Sequence, residues 1–298
     1  MNKYFGEIAA LGTSFCWAFG SVFFTIASRL IGSNEVNRIR LVLGMLFLMF
    51  THLLLFGSII PVNACVHHWF WFGISGLIGF TIGDTFLFRG YVLIGPRLTM
   101  LLMSLSPIFG TILAWVFLGE SLNLREFLGI LITITGISMV IYNKKETENK
   151  NKDFFAGIFC GFGAALCQAI GYFASKKGLL YNDFPALSGN LIRIMSGAFF
   201  IWVIALFQKQ AFKTISLLSN KKADMAMLGG AIFGPFIGVW LSLIAVQHTY
   251  IGIASTLMAL PPVILIPLSH WIFKERITYI TLIGTFIAVS GVSLIFLR

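Results

Sequence analysis

The sequence predicts an all-α polytopic membrane protein of about ten transmembrane helices, folded as two inverted five-helix repeats. Three observations predict it. Hydrophobic residues make up 58% of the 298 residues and charged residues only 11%, with a mean hydropathy of +0.91. A soluble domain carries about 25% charged residues, so this chain belongs in lipid. Apolar runs of roughly the 20 residues that a membrane-crossing helix needs follow one another with short polar gaps. Finally, "MSLSPIFGTILAWVFLGE" (103–120) and "MALPPVILIPLSHWIFKE" (258–275) share a skeleton at a shift of 155 residues. Met103 matches Met258, Leu105 matches Leu260, Pro107 matches Pro262 and Glu120 matches Glu275.

The first span covers 6–28. Its apolar run is longer than the roughly 7–15 residues of a signal-peptide core, so it reads as a retained helix. Thr13, Trp17, Ser21 and Phe24 recur on one of its faces at helical spacing. Such a stripe either lines a solute cavity or lets helices pack closely. Trp17 lies too deep for the interfacial aromatic belt. Spans two and three cover 38–57 and 67–88. Asp84 lies well inside the third, where a carboxylate is costly unless it faces a cavity or a partner. Its repeat counterpart is Val239. Arg89 is a poor partner, since five residues turn a helix by about 140°; Arg40 from span two is a better one. Asp84 is therefore a coupling or solute-orienting group, or half of a structural ion pair. Arg40 and Arg193, near the starts of spans two and seven, are expected to snorkel to the interface, with anion recognition as the alternative.

Span four (98–118) presents Thr99, Met103, Ser106 and Gly110 on one face and is interrupted by Pro107. Span five covers 124–142, and the charged stretch "NKKETENKNKD" (143–153) then reads as a linker. It divides the chain into repeats at 1–142 and 154–298. Span six (154–175) carries Gln168, Tyr172 and Ser175, with Gln168 equivalent to Trp17. Spans seven (187–207) and eight (225–246) follow, with His248 at the end of the latter a candidate to reach a cavity mouth. Span nine (252–273) holds Met258 and the Pro261-Pro262 pair, and span ten covers 278–297. Proline removes a backbone donor and frees a carbonyl one turn back, which at membrane depth needs a cavity or a neighbour. Pro107, Pro261 and Pro262 are thus expected to kink or break helices beside the path. Tyr91 and Trp240 complete the candidate path-lining set.

The doubling extends through both halves. Gly79, Gly83, Gly129 and Gly136 meet Gly234, Gly238, Gly284 and Gly291 at the same shift, and Asn37 and Arg40 meet Asn190 and Arg193 at 153. Five spans per half is odd, so the second half starts on the opposite face. Inverted halves have two near-equivalent arrangements, and exchange between them is alternating access.

Composition excludes other classes. The net charge of +10 lies in gaps between apolar runs and forms no basic stripe with interleaved aromatics, so no nucleic-acid partner is expected. The four cysteines form no CxxC pair and read as small fillers. The histidines fall at no metal-ligand spacing, so neither metal nor other cofactor is assigned. No phosphate-binding GxxxxGK[ST] loop occurs, so energy would come from a gradient, with proton or other ion coupling open. The partners are a small-molecule solute and the bilayer; monomer and homodimer both remain open. An enzyme acting on lipid or a lipid-linked sugar through Asp84 and a histidine is the alternative, but no cluster of nucleophile and base marks it.

Gly83-Asp84 with its aromatic run, Gly95-Pro96, Ser106-Pro107, Gly119-Glu120 and the closing Gly129 and Gly136 resemble the drug/metabolite transporter superfamily, in particular its EamA-type members. The second half carries a degenerate copy in Pro261-Pro262, Lys274-Glu275, Gly284 and Gly291. The resemblance implies ten helices in two EamA repeats, a multi-pass cell-membrane location and movement of small organic solutes, often amino acids or metabolites outward. One departure stands out. Small multidrug members carry a mid-membrane glutamate in their first helix, whereas here Glu7 lies near the end of that helix and Trp17 near its middle. Orientation is read two ways. Basic residues crowd the side that holds the linker, which the positive-inside rule places in the cytoplasm; the resemblance implies cytoplasmic termini instead.

Overall fold

The computed structural model describes residues 4–118, 123–147, 152–182, 184–217, 220–248, 257–275 and 277–296. The first half contains α1 (Phe5–Ile31), α2 (Ser33–Phe56), α3 (Val66–Ser75), a π-helical segment (Gly76–Gly83), α4 (Asp84–Ile94), α5 (Pro96–Met103), α6 (Ser106–Leu118) and α7 (Leu124–Thr147). The second contains α8 (Lys152–Leu179), α9 (Ala186–Phe207), the short α10 (Ala211–Ser216), α11 (Lys221–Ala231), a second π-helical segment (Ile232–Gly238), α12 (Val239–His248), α13 (Pro261–Phe273) and α14 (Tyr279–Phe296). Eight stretches are long and apolar enough to cross a membrane, and α13 and α14 are shorter apolar helices. α13 and α14 stand where the ninth and tenth spans are expected, with 252–256 of the ninth outside the described residues. α7 and α8 run into the polar stretch from both sides, leaving 148–151 outside the described residues.

The two halves interlock. α1 packs on α11, the second π segment and α12, while α8 packs on α3, the first π segment and α4. Both contacts are made through small residues, which let backbones approach. A Cβ on Gly20 would lie 3.4 Å from the backbone of Gly234, and one on Gly171 would lie 3.4 Å from that of Gly79. These are repeat-equivalent pairs, so one contact is made twice. The outer faces of α1, α2 and α8 carry Phe15, Phe19, Leu46, Phe50, Phe155 and Phe159, all exposed on the lipid side.

The last helices of the halves show the inversion most directly. A Cβ on Gly129 would lie 2.7 Å from the Gly291 carbonyl, and one on Gly136 would lie 2.6 Å from that of Gly284. As α7 advances, α14 recedes. Equivalent helices therefore run antiparallel, and equivalent glycines exchange partners across a two-fold relation.

Spans four and nine break at equivalent places. Ser104 and Leu105 separate α5 from α6, held by tight bonds to the carbonyls of Leu101 (3.1 Å) and Leu102 (3.0 Å). Ala259 and Leu260 stand before α13, with the Leu260 N–H on the Leu257 carbonyl at 3.4 Å. The expected prolines stand just after these breaks. Pro107 lies in the first turn of α6, and Pro261 and Pro262 open α13. Their missing donors fall where a helix start leaves donors unpaired anyway, so they permit breaks rather than kink continuous helices. The prolines inside helical segments are Pro235 and Pro267. Gly95 (φ +82°) and Pro96 make the sharp corner between α4 and α5, a backbone region where a side chain would be strained.

Candidate functional site

At the centre, α2 and α9 each carry an asparagine that reaches the π segment of their own half and an arginine three residues on; Arg40 meets Asp84 of its own half, whereas Arg193 lies against Phe80 of the other. α2 begins at Ser33 and α9 at Ala186, so Arg40 and Arg193 each lie seven residues, about 10 Å, inside their helices. Both are buried, at 4% and 1% exposure. The expected snorkelling is therefore wrong: both side chains turn into the protein core, and α2 starts five residues before its apolar run, which sets Arg40 deeper than the run suggests.

The asparagines serve the π segments. Widening a helix to π geometry disturbs its i→i−4 ladder and leaves a carbonyl to satisfy. Asn37 Nδ2 donates to the Phe80 carbonyl at 3.1 Å, and Asn190 Nδ2 donates to the Pro235 carbonyl at 3.2 Å. Positions 80 and 235 are repeat equivalents. The sequence shows the doubled asparagines but not their task, since π and α segments share the same apolar composition.

The arginines then diverge. Arg40 Nε donates to Asn37 Oδ1 at 3.0 Å, and its Nη2 forms an ion pair with Asp84 Oδ2. Its guanidinium lies 4.8 Å from the ring centre of Phe88, 5.5 Å from Phe24 and 5.8 Å from Phe80. Asp84, the first residue of α4, is 9% exposed and has the partner that the helical spacing favoured. Arg193 shares the same Phe80 ring at 4.7 Å and lies 5.8 Å from the Tyr172 ring. Its Nε and Nη1 are buried and find no hydrogen-bond partner among the described residues, nor does Asn190 Oδ1. Asp84 lies close enough to act on Arg193 electrostatically, but its ion pair is with Arg40.

The remaining candidates surround this centre or stand apart from it. Trp17 is half-buried, with its indole against Gly238; Gln168 and Tyr172 are half-buried on α8. Ser21 is buried, and its hydroxyl bonds the Ala18 carbonyl of its own helix at 2.7 Å. Tyr91 is buried and donates to Met100 Sδ at 3.2 Å, next to half-buried Met103. Ser106 is buried at the start of α6. Trp240 stacks on Phe236 at 6.2 Å. Met258 packs with Ala9, Ala10 and Ala245, away from the charges. His248 is exposed and edge-on to Phe5. Glu120 lies outside the described residues.

Polar contacts between the halves bridge both ends of the bundle. At one end Arg97 Nε donates to Glu275 Oε2 at 3.1 Å, and Arg38 donates to Gln210 (2.7 Å) and Thr214 (2.9 Å). At the other, His52 pairs with Ser188 at 3.0 Å and His68 with the Tyr181 carbonyl at 3.0 Å. The charged centre is enclosed between them. A groove of ≈ 640 Å³ between α7 and α14, lined by Ile134, Tyr142 and Ile280, is apolar and holds none of the candidate residues.

The bundle is thus doubled, inverted and built around a shared charged centre. The model of the EamA-like transporter family matches residues 4–142 and again 155–297. The chain belongs to the EamA-like transporter family. It is a multi-pass membrane protein of a family that moves small molecules. A probable terminal-alkyne amino-acid exporter of Streptantibioticus cattleyicolor is 22% identical over 223 residues, covering 74% of this chain and 71% of the relative. Protein PagO of Salmonella typhimurium is 24% identical over 208 residues, covering 67% of this chain; the chain spans 63% of PagO. A solved crystal structure covers 97% of both chains with a TM-score of 0.69 at 13% identity, which shows a shared fold.

Proposed function

We propose that this EamA-family chain is a secondary transporter of the cell membrane that moves small organic metabolites, amino acids among them, outward by alternating access. The observation that carries the reading is the antiparallel doubling around one charged centre. α7 and α14 meet through exchanged glycines, and both arginines share the Phe80 ring. A centre built by equivalent elements of inverted halves is equally related to both membrane faces, which is the geometric requirement for exposing one site to each in turn. The named function of the Streptantibioticus relative supports amino acids and export as the first classes to test.

The test is uptake and efflux by purified protein in liposomes across amino acids, nucleobases and organic cations. Saturable flux of at least one class is expected. Flux no greater than that of empty liposomes for every class, from protein shown to be folded, would overturn the reading.

A further inference from the structure

Arg193 is the anomaly of the molecule. It repeats the position of Arg40, seven residues into the second helix of its half and three beyond an asparagine that caps a π segment. In the first half the arginine meets a carboxylate at the residue following that segment, Asp84. In the second half the residue following the segment is Val239, buried in an apolar cluster with Leu191 and Ile194 of the arginine's own helix. The central trio thus sets two guanidiniums against one carboxylate. Arginine cannot shed its charge, and an isolated charge at membrane depth is expensive.

We propose that Arg193 is the anchor for a carboxylate carried by the solute. The bound group supplies to Arg193 the counter-charge that Asp84 supplies to Arg40. The proposal rests on the transporter reading for its solute and deepens that reading by naming the solute's chemistry. Three observations converge on it. Nε and Nη1 of Arg193 are two buried donors without a protein acceptor. Phe80 and Tyr172 lie against the guanidinium, giving the head group aromatic surroundings. The uncompensated charge is a single positive one, which one carboxylate neutralises and a phosphate dianion overshoots. A charge-assisted hydrogen bond at this site is short and strong because water does not compete for it.

The experiment follows thermal unfolding of the purified full-length protein in detergent. L-Leucine, L-phenylalanine and benzoate are the carboxylate probes, isoamylamine and 2-phenylethylamine their carboxyl-free counterparts, and phenyl phosphate the competing anion. At least one carboxylate is expected to raise the Tm, and the amines are not. Arg193→Gln should weaken that carboxylate about ten- to hundredfold, with Arg193→Lys recovering part of the loss. Val239→Asp puts a carboxylate at the repeat equivalent of Asp84, where it can pair with Arg193 as Asp84 does with Arg40. It should raise the Tm of the unliganded protein and abolish the carboxylate response, and it keeps a read-out should Arg193→Gln fail to fold. An unchanged carboxylate response in Arg193→Gln or in Val239→Asp overturns the proposal. So does a response to phenyl phosphate with none to any carboxylate, or no carboxylate response in the wild type. Carboxylate binding without flux in liposomes would sink the transport reading and leave this one standing. Flux of amines alone would do the reverse.

Discussion

Arg40 and Arg193 show how much a single residue's surroundings decide. Arg40 is matched by Asp84, bonded to Asn37 and boxed by Phe24, Phe80 and Phe88. Removing one partner of a buried pair strands the other charge, which costs about 3–5 kcal/mol, whereas replacing both with apolar groups is often neutral. Asp84→Leu and Arg40→Met should therefore each lower the unfolding temperature in detergent sharply, and the double variant should recover most of the loss. Equal, additive losses would show that the pair is not coupled. The pairing was legible from the sequence, because a lone carboxylate in an apolar run demands a cation and Arg89 faces the wrong way. The depth of Arg193 was not. α2 begins at Ser33, five residues before its apolar run, but α9 begins at Ala186, one residue before its run, and hydropathy does not tell whether a lone arginine inside a run turns to the interface or to the core. The doubled Asn-x-x-Arg spacing at 37–40 and 190–193 was the available signal.

Among the elements, the π segments and the glycine seam carry the fold. Asn37→Ala and Asn190→Ala each leave a π-segment carbonyl without its side-chain donor, at a cost of about 1–3 kcal/mol. Hydrogen exchange should quicken within 76–83 for the first and within 232–238 for the second, the segments they cap. Exchange that rises evenly over the chain would deny that role. At the seam, Gly136→Val drives a side chain into the α14 backbone around Gly284 and Ala288. Overpacking of this kind costs about 1–3 kcal/mol or more, so the folded fraction by size-exclusion chromatography should fall. Gly110→Ala, where an added Cβ meets nothing within 4 Å, should leave the folded fraction unchanged. The seam glycines were visible as a doubled pattern, but their antiparallel exchange of partners is a fact of three dimensions. The π geometry was hidden, because hydrophobic periodicity over eight residues such as Gly76–Gly83 does not separate one helical pitch from another. The breaks in spans four and nine were foreseen from Pro107, Pro261 and Pro262. Their mechanism was not, because whether a proline interrupts a helix or begins one depends on where the preceding turn ends.

For the whole molecule, the repeat shift and the odd count of spans were enough to give the architecture, since inversion follows from five crossings per half. What the sequence withheld is how the halves interlock. α1 rests on the third span of the other half and α8 on that of the first, so neither half encloses the centre alone. If the halves rock about this interlock, a residue beside the centre meets water from each side in turn. The most direct measurement places a cysteine at Gln168, next to Tyr172 on α8, in a chain whose four native cysteines have been replaced. It then applies an impermeant thiol reagent to one face of sealed, oriented vesicles, and to the other face in a parallel sample. Labelling from both faces, slowed by a transported solute, is the predicted result; labelling from one face only, indifferent to every solute that the protein carries, would contradict alternating access.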